Sequence, residues 1–281
     1  MTTTKHAGTT HAGVIGWPIE HSRSPLIHGH RLKRYGINGT YTKQAVRPED
    51  FAAFVRSFAD RGFVGANVTV PHKEAAFALA EVVEPAAAAV GAANTLWLEN
   101  GRLHATNTDT YGFMTHLATT VPDWNLKDRP VALLGAGGAA RAIAYGFLQA
   151  GVSEVRLFNR TRHRADDLAK HFGPKVQVHD WFEREKLISD VCVLVNTTTL
   201  GMAKSSALDI SLASLRTDAV VVDIVYVPLE TQLLRQARAR GLRTVDGLGM
   251  LLHQAVPGFE KWFGRRPEVT AELRDLIVRD L

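Results

Sequence analysis

The sequence predicts an α/β fold of two domains, and three observations carry that reading. Apolar runs of strand length alternate with helix-length segments along the whole chain. One such run, Val131–Leu134, passes directly into Gly135-Ala136-Gly137-Gly138-Ala139-Ala140-Arg141, a glycine turn that opens a helix. The 281 residues, 46% of them hydrophobic, supply enough core for one large or two modest domains.

Taken in order, the first strand is His11–Ile15, followed by a helix after Ser24-Pro25 and an extended segment from Thr40-Tyr41. Phe51–Ala59 reads as a helix with Phe51, Phe54, Val55 and Phe58 on one face. Phe63–Val70 is strand-like, and Pro71 is expected to open the next helix. Ala86–Ala89 forms a short alanine-rich helix. Thr95–Leu98 and Arg102–Ala105 flank Glu99-Asn100-Gly101, a hairpin signal. Tyr111–Thr119 is a connecting helix, and the polar stretch from Pro122 to Pro130 is a loop. Beyond it, strands are expected at 131–134, 154–158, 176–178, 191–195, 220–224 and 243–245, with mainly parallel pairing. Glu230–Arg240 is helical and closed by Gly241; Met250–Phe263 and Val269–Leu281 are the final helices.

Composition narrows the function. The net charge of +5 is spread along the chain rather than gathered into a basic run, and no nucleic-acid motif is present. The one cysteine, Cys192, sits in an apolar strand and reads as a core residue in a reducing compartment. No run reaches membrane-spanning length, and Met1-Thr-Thr-Thr-Lys-His lacks a hydrophobic signal core, so a soluble, cytoplasmic protein is expected. No Cys/His cluster offers a metal site.

The glycine run has specific mechanics. Gly135 permits the tight turn off the strand, Gly137 lets backbone approach a pyrophosphate, and Gly138 adds room. Ala140 replaces the usual third glycine and is small enough for helix-on-strand packing, while the helix N-terminus faces the anion. The next strand ends at Phe158-Asn159-Arg160-Thr161, where an acid would accept a hydrogen bond from a free ribose 2′-hydroxyl. Asn and Arg favour a 2′-phosphate instead, which points to NADP.

Other polar residues fall where strands end or helices begin. Ser22 and Ser24 offer two hydroxyls beside a helix start, suited to a carboxylate, but Ser24 is equally a natural N-cap. In Asn67-Val-Thr69-Val-Pro71-His-Lys73-Glu74, Lys73 lies in the first helical turn, where the dipole disfavours its charged form and suits proton exchange; a solvated surface lysine is the plain alternative. Asn94-Thr95 and Asn107-Thr108-Asp109 read either as turn formers or, for Asp109, as a partner of Lys73. Asn196-Thr197-Thr198 follows a strand at the ligand-facing end of such a sheet. In Gly247-Leu-Gly249-Met250, the methionine is core or a nicotinamide contact.

Together these segments, with Asp223-Ile-Val-Tyr226-Val-Pro228 and His253-Gln254, resemble the shikimate dehydrogenase family over nearly the whole chain. The resemblance implies a substrate-binding α/β domain, residues 1–110 completed by 247–281, and a Rossmann-like NADP-binding domain at 111–246 with a mainly parallel sheet. It implies reversible, NADPH-dependent reduction of 3-dehydroshikimate to shikimate, on the path to chorismate and the aromatic amino acids. It assigns Lys73 and Asp109 as the catalytic pair. Ser22, Ser24 and Tyr226 lie near the substrate carboxylate, and Thr69, Asn94 and Gln254 around the ring hydroxyls. Gly135, Ala136, Gly137, Gly138, Ala139, Asn159, Arg160, Thr161, Arg164, Asn196, Thr197, Thr198, Gly247 and Met250 would contact the cofactor. A crevice between the domains would hold both ligands. No metal, nucleic acid or membrane is implied, and a homodimer is left open. Two departures, Ala105 before the Asn-Thr-Asp motif and Thr199-Leu200 in place of a proline-containing pair, remove no catalytic group.

Overall fold

The computed structural model describes residues 9–203 and 205–281; the Met1–His6 segment lies outside them. By its internal contacts the chain divides into two units. One holds the described residues up to Thr108 with Gln254–Ile277, and the other holds Asp109–His253 with Val278–Leu281.

The first unit begins β1 (Thr10–Gly16), α1 (Ser24–Tyr35), β2 (Gly39–Ala45), α2 (Phe51–Arg56) and β3 (Phe63–Val68). It continues α3 (Lys73–Leu79), β4 (Val82–Val83), α4 (Pro85–Val90), β5 (Thr95–Glu99) and β6 (Arg102–Thr106). Its sheet runs β2-β1-β3-β5-β6-β4 and is mixed: β1 pairs parallel with β2 and β3, whereas β3–β5 and β5–β6 are antiparallel. The β5–β6 hairpin turns through Asn100 and Gly101, at φ 53° and 76°, the positive pair that matches the twist of the flanking strands. As the periodicity of the second helix predicts, Phe51, Val55 and Phe58 are buried together, with Phe54 packed against them.

Two helix starts differ from the expectation. Arg23, not Ser24, is the N-cap of α1, and no side chain caps it; Pro25 occupies the first positions, where its missing N–H costs nothing. Ser24 is therefore released from capping. Pro71 does not open α3: it lies in a turn, and Lys73 is the first helical residue.

The second unit contains α5 (Asp109–Thr120), β7 (Val131–Leu134), α6 (Gly138–Gln149), β8 (Val155–Phe158), α7 (Arg162–Phe172) and β9 (Val176–His179). It then runs α8 (Arg184–Leu187), β10 (Val193–Asn196), β11 (Val220–Asp223), α9 (Gln232–Ala239) and β12 (Arg243–Val245). The boundary between the units falls inside α10 (Gly247–Phe263), which is followed by α11 (Ala271–Val278). The sheet order β12-β11-β10-β7-β8-β9 is entirely parallel and reverses direction between β7 and β10. That is the doubly wound order, whose ligands sit beyond the strand C-termini at the reversal. All four residues of β7, β10 and β11 are buried, as strands covered on both faces must be. Ala140, Ile143, Ala144 and Phe147 of α6 seal one face, and burial pushes the Cys192 thiol up to about 11. Among the described residues no helix is long and apolar enough to cross a membrane.

Candidate active site

In the first unit, Ser22 and Ser24 are half-buried at the start of α1, and the Ser24 amide donates to Ser22 Oγ at 3.4 Å. The Ser24 side chain lies beside the phenol of Tyr41. Thr69 follows β3; its amide donates to the Ile15 carbonyl at 2.9 Å, and its own carbonyl receives the His72 amide at 2.9 Å. The His72 ring stacks on Phe51 at 4.5 Å and bonds the Val46 carbonyl at 2.8 Å, so the turn carrying Thr69 into α3 is pinned from the core side. Lys73, half-buried, opens α3, and its carbonyl accepts the Ala93 amide at 2.9 Å. That bond draws the strand entry with Asn94 against the lysine's helix.

Asn94 is the most constrained of these residues. It is buried, and its Oδ1 accepts from Thr95 Oγ1 at 3.0 Å, the Thr108 amide at 2.9 Å and Thr108 Oγ1 at 3.1 Å. Its Nδ2 faces Gln254 Oε1 at 3.5 Å, so the structure brings these two candidate residues together from opposite ends of the sequence.

In the second unit, the candidate cofactor residues gather at the reversal of the sheet. Gly135 has φ 109°, and a Cβ there would come within 2.9 Å of Thr197 Oγ1 and Thr198 Cγ2, so the turn requires glycine. Thr197 Oγ1 donates to the carbonyls of Leu134 at 2.8 Å and Gly135 at 3.1 Å, locking the loop after β10 onto the loop after β7. Gly137 and Gly138 differ in kind: a Cβ at either would meet no protein atom within 4 Å, and Gly137 is extended at φ −88°. The protein's own packing does not ask for glycine there; the close approach of a pyrophosphate does. Gly137 is the N-cap of α6, with no side-chain cap and no acid in the first turn. These residues fit a dinucleotide phosphate.

Asn159 Oδ1 accepts the Ala136 amide at 3.2 Å while its Nδ2 donates to the Thr161 carbonyl at 2.7 Å, tying the glycine turn to the start of α7. Arg160, Thr161 and Arg164 are exposed. Arg162 pairs with Asp166 at 3.8 Å, and among the described residues neither Arg160 nor Arg164 forms an ion pair. No acid stands at the end of β8, and the two guanidinium groups fit a 2′-phosphate.

Asn196 and Tyr226 are arranged by a residue to which sequence reasoning gave no role. Asp223, fully buried at the end of β11, accepts from Asn196 Nδ2 at 2.9 Å, the Val225 amide at 3.0 Å and Thr231 Oγ1 at 2.7 Å. Burial outweighs these donors and raises its carboxyl to about 6. A signal for it exists in the sequence: an acid closing a run of valines has to be paired. Asn196 Oδ1 in turn receives the amide and hydroxyl of Thr198 at 3.0 and 2.7 Å. Asp109 opens α5 in this unit, whereas Lys73 belongs to the other. Gly247 approaches the chain closely, since a Cβ there would lie 2.2 Å from the Ile224 carbonyl oxygen. Met250 packs against the main core of this unit. Among the described residues no three His, Cys, Asp or Glu side chains gather as a metal site would need.

The family model for the shikimate dehydrogenase substrate binding domain matches residues 14–96, and that for shikimate/quinate 5-dehydrogenase matches 116–248. A third, the shikimate 5'-dehydrogenase C-terminal domain, matches 247–271. The chain belongs to the shikimate dehydrogenase family. A relative from Azorhizobium caulinodans, named shikimate dehydrogenase (NADP(+)), is 56% identical over 95% of each chain. Among solved structures, shikimate 5-dehydrogenase from Thermus thermophilus in complex with NADP(H) and shikimate is 35% identical, covers 97% of this chain and 100% of its own, and has a TM-score of 0.85. Quinate dehydrogenase from Corynebacterium glutamicum in complex with NAD is 30% identical, covers 96% of this chain and 99% of its own, and has a TM-score of 0.89. As a shikimate dehydrogenase family member, the chain has both halves that the family models describe, in the expected order.

Proposed function

We propose that this chain is an NADP-dependent shikimate dehydrogenase that reduces 3-dehydroshikimate reversibly to shikimate. The observation that carries the cofactor choice is the strand end at Asn159-Arg160, where guanidinium stands in place of an acid. NADPH, when bound, supplies the hydride to the ketone carbon. The chain's own residues do the rest. Gly137, Gly138 and the amide of Ala139 receive the pyrophosphate, while Ala136, its amide held by Asn159, keeps the turn in shape. Arg160 and Arg164 take the 2′-phosphate, with Asn159 and Thr161 shaping their loop. Asn196, Thr197, Thr198, Gly247 and Met250 complete the cofactor wall.

The substrate domain is the unit that carries Ser22, Ser24, Thr69, Lys73, Asn94 and Gln254. Ser22 and Ser24, with Tyr226, receive the carboxylate; Thr69, Asn94 and Gln254 receive ring hydroxyls. As the ketone oxygen gains negative charge, Lys73 donates a hydrogen bond and then a proton to it. Asp109 is the second member of the catalytic pair and binds the neighbouring hydroxyl.

The reducing power for such a reaction is a cytoplasmic currency, and we place the enzyme there; fractionation tests it. A homodimer is also proposed without any part in the chemistry, and sedimentation equilibrium decides it. The deciding experiment for the function is spectrophotometric. Shikimate with NADP+ is expected to give rapid cofactor reduction, and quinate or NAD+ much slower turnover. Preference for quinate with NAD+ would overturn the reading in favour of the quinate dehydrogenase branch.

A further inference from the structure

Tyr41 belongs to none of the motifs that mark the site, yet it heads a hydrogen-bond chain that ends on a candidate substrate contact, Asn94. It lies on β2, 8% exposed, with Ala12 opposite it on β1. The small Ala12 side chain lets the phenol reach across β1 to Asn67 on β3, where the hydroxyl is 2.6 Å from Oδ1. His28 stacks on the phenol at 4.1 Å. Burial first, then the charge of Arg31, holds that imidazole well below its usual pKa against the opposing Asn67 side chain. Neither of its ring nitrogens has a hydrogen-bond partner of normal geometry. His28 therefore serves as a flat wall for the Tyr41 ring.

The polarity of the chain follows from its fixed end. Asn67 Nδ2 lies 3.2 Å from the Asn94 carbonyl oxygen, which can only accept, so the amide nitrogen must face it. The amide oxygen then faces Tyr41, and the phenol must donate. In the other direction, Asn67 Nδ2 also donates to Thr95 Oγ1 at 3.2 Å, and Thr95 donates to Asn94 Oδ1 at 3.0 Å. Donors run one way, from Tyr41 through Asn67 and Thr95 to Asn94.

We propose that Tyr41 is a positioning residue for substrate binding, whose hydroxyl holds the Asn67 amide, and through it Asn94, in one hydrogen-bonded frame so that Asn94 meets the substrate's ring hydroxyl in a fixed orientation. This rests on the reading of Asn94 as a substrate contact. Tyr41 touches neither substrate nor cofactor in this scheme. Losing its hydroxyl leaves the Asn67 amide oxygen without its partner, and the cost falls equally on bound substrate and transition state.

The test is Tyr41→Phe, which keeps the ring on His28 and removes only the hydroxyl, measured beside Asn94→Ala and the double variant. The KM for shikimate is expected to rise roughly ten-fold in Tyr41→Phe, the weight of about one hydrogen bond. Turnover should stay within about three-fold, and the KM for NADP+, which reports a correctly folded cofactor half, should not move. Because Tyr41 acts through Asn94, the double variant should fall short of the product of the two single effects. If Tyr41→Phe does not accumulate as folded protein, Asn67→Ser breaks the same chain and carries the same expectation. Asn94→Ala raising the KM while Tyr41→Phe leaves it unchanged overturns this inference alone, as does a double variant equal to the full product. Asn94→Ala leaving the KM unchanged overturns the ring-hydroxyl reading and the frame with it.

Discussion

The side-chain amide of Asn196 donates to Asp223 Oδ1 at 2.9 Å, across two adjacent parallel strands whose C-termini face the ligand side of the sheet. The carboxylate also holds the Val225 amide and the Thr231 hydroxyl that caps α9. One buried acid thus sets the loop bearing Asn196–Thr198, the loop bearing Tyr226 and the start of a helix. Asp223→Ala strands three donors. It should cost about 2–4 kcal/mol of stability and raise the KM for NADP+ roughly ten-fold. Denaturant unfolding and NADP+ titration check both; an unchanged cofactor KM in a folded variant would reduce Asp223 to a structural role.

The same residue predicts a pH dependence. Its folded-state value of about 6 lies above the ordinary 3.8, so the folded protein binds that proton more tightly than the unfolded chain does. The resulting stabilisation is fully present below pH about 4 and is lost as pH rises through about 6, a swing of about 3 kcal/mol at most. Asp223→Asn lacks this swing. The Tm difference between wild type and Asp223→Asn should therefore move against the wild type from pH 4.5 to pH 7.5, as followed by scanning calorimetry; a constant difference across that range would contradict the assignment.

Lys73→Ala is expected to lower turnover by roughly 100-fold or more, the usual weight of a positioned acid/base group, and to raise the shikimate KM much less. Stopped-flow or steady-state kinetics in both directions measure it. Turnover near wild type would remove Lys73 from the chemistry.

Gly137→Ala isolates the cofactor's demand from the protein's. No protein atom lies within 4 Å of the added Cβ, and φ −88° suits any residue, so Tm should change by no more than about 1 °C. The KM for NADP+ should rise by roughly ten-fold or more, because the methyl occupies the pyrophosphate's approach. A variant that loses stability but not cofactor affinity would reverse the explanation.

Arg160→Ala with Arg164→Ala should weaken NADP+ binding by about 2–4 kcal/mol through lost charge-assisted hydrogen bonds and leave NAD+ nearly untouched. Both side chains are exposed and form no ion pair among the described residues, so stability should hold. Equal losses for the two cofactors in isothermal titration would rule out a 2′-phosphate clamp.

Much of the architecture is legible in the residues themselves, for local reasons. The valine-rich runs of β10 and β11 are buried on both faces, which is why continuous apolarity locates them. Asn100-Gly101 announces the hairpin because its turn requires two positive φ values. The Gly135 turn and the missing acid after Phe158 point to a dinucleotide site, and one carrying an extra phosphate, from residue types alone. Where local signals mislead, the folded chain decides: the α1 start offers Ser24 as a cap, but Arg23 takes that position and no side chain caps the helix. Tertiary structure alone decides who is partnered with whom. It joins Asn94 to Gln254, 160 residues away, runs a one-way chain of donors from Tyr41, and buries Asp223 among three donors. Periodicity and turn chemistry are written in neighbouring residues, whereas a hydrogen bond across a sheet depends on register, strand order and the size of the residue in between, and those exist only once the chain has folded.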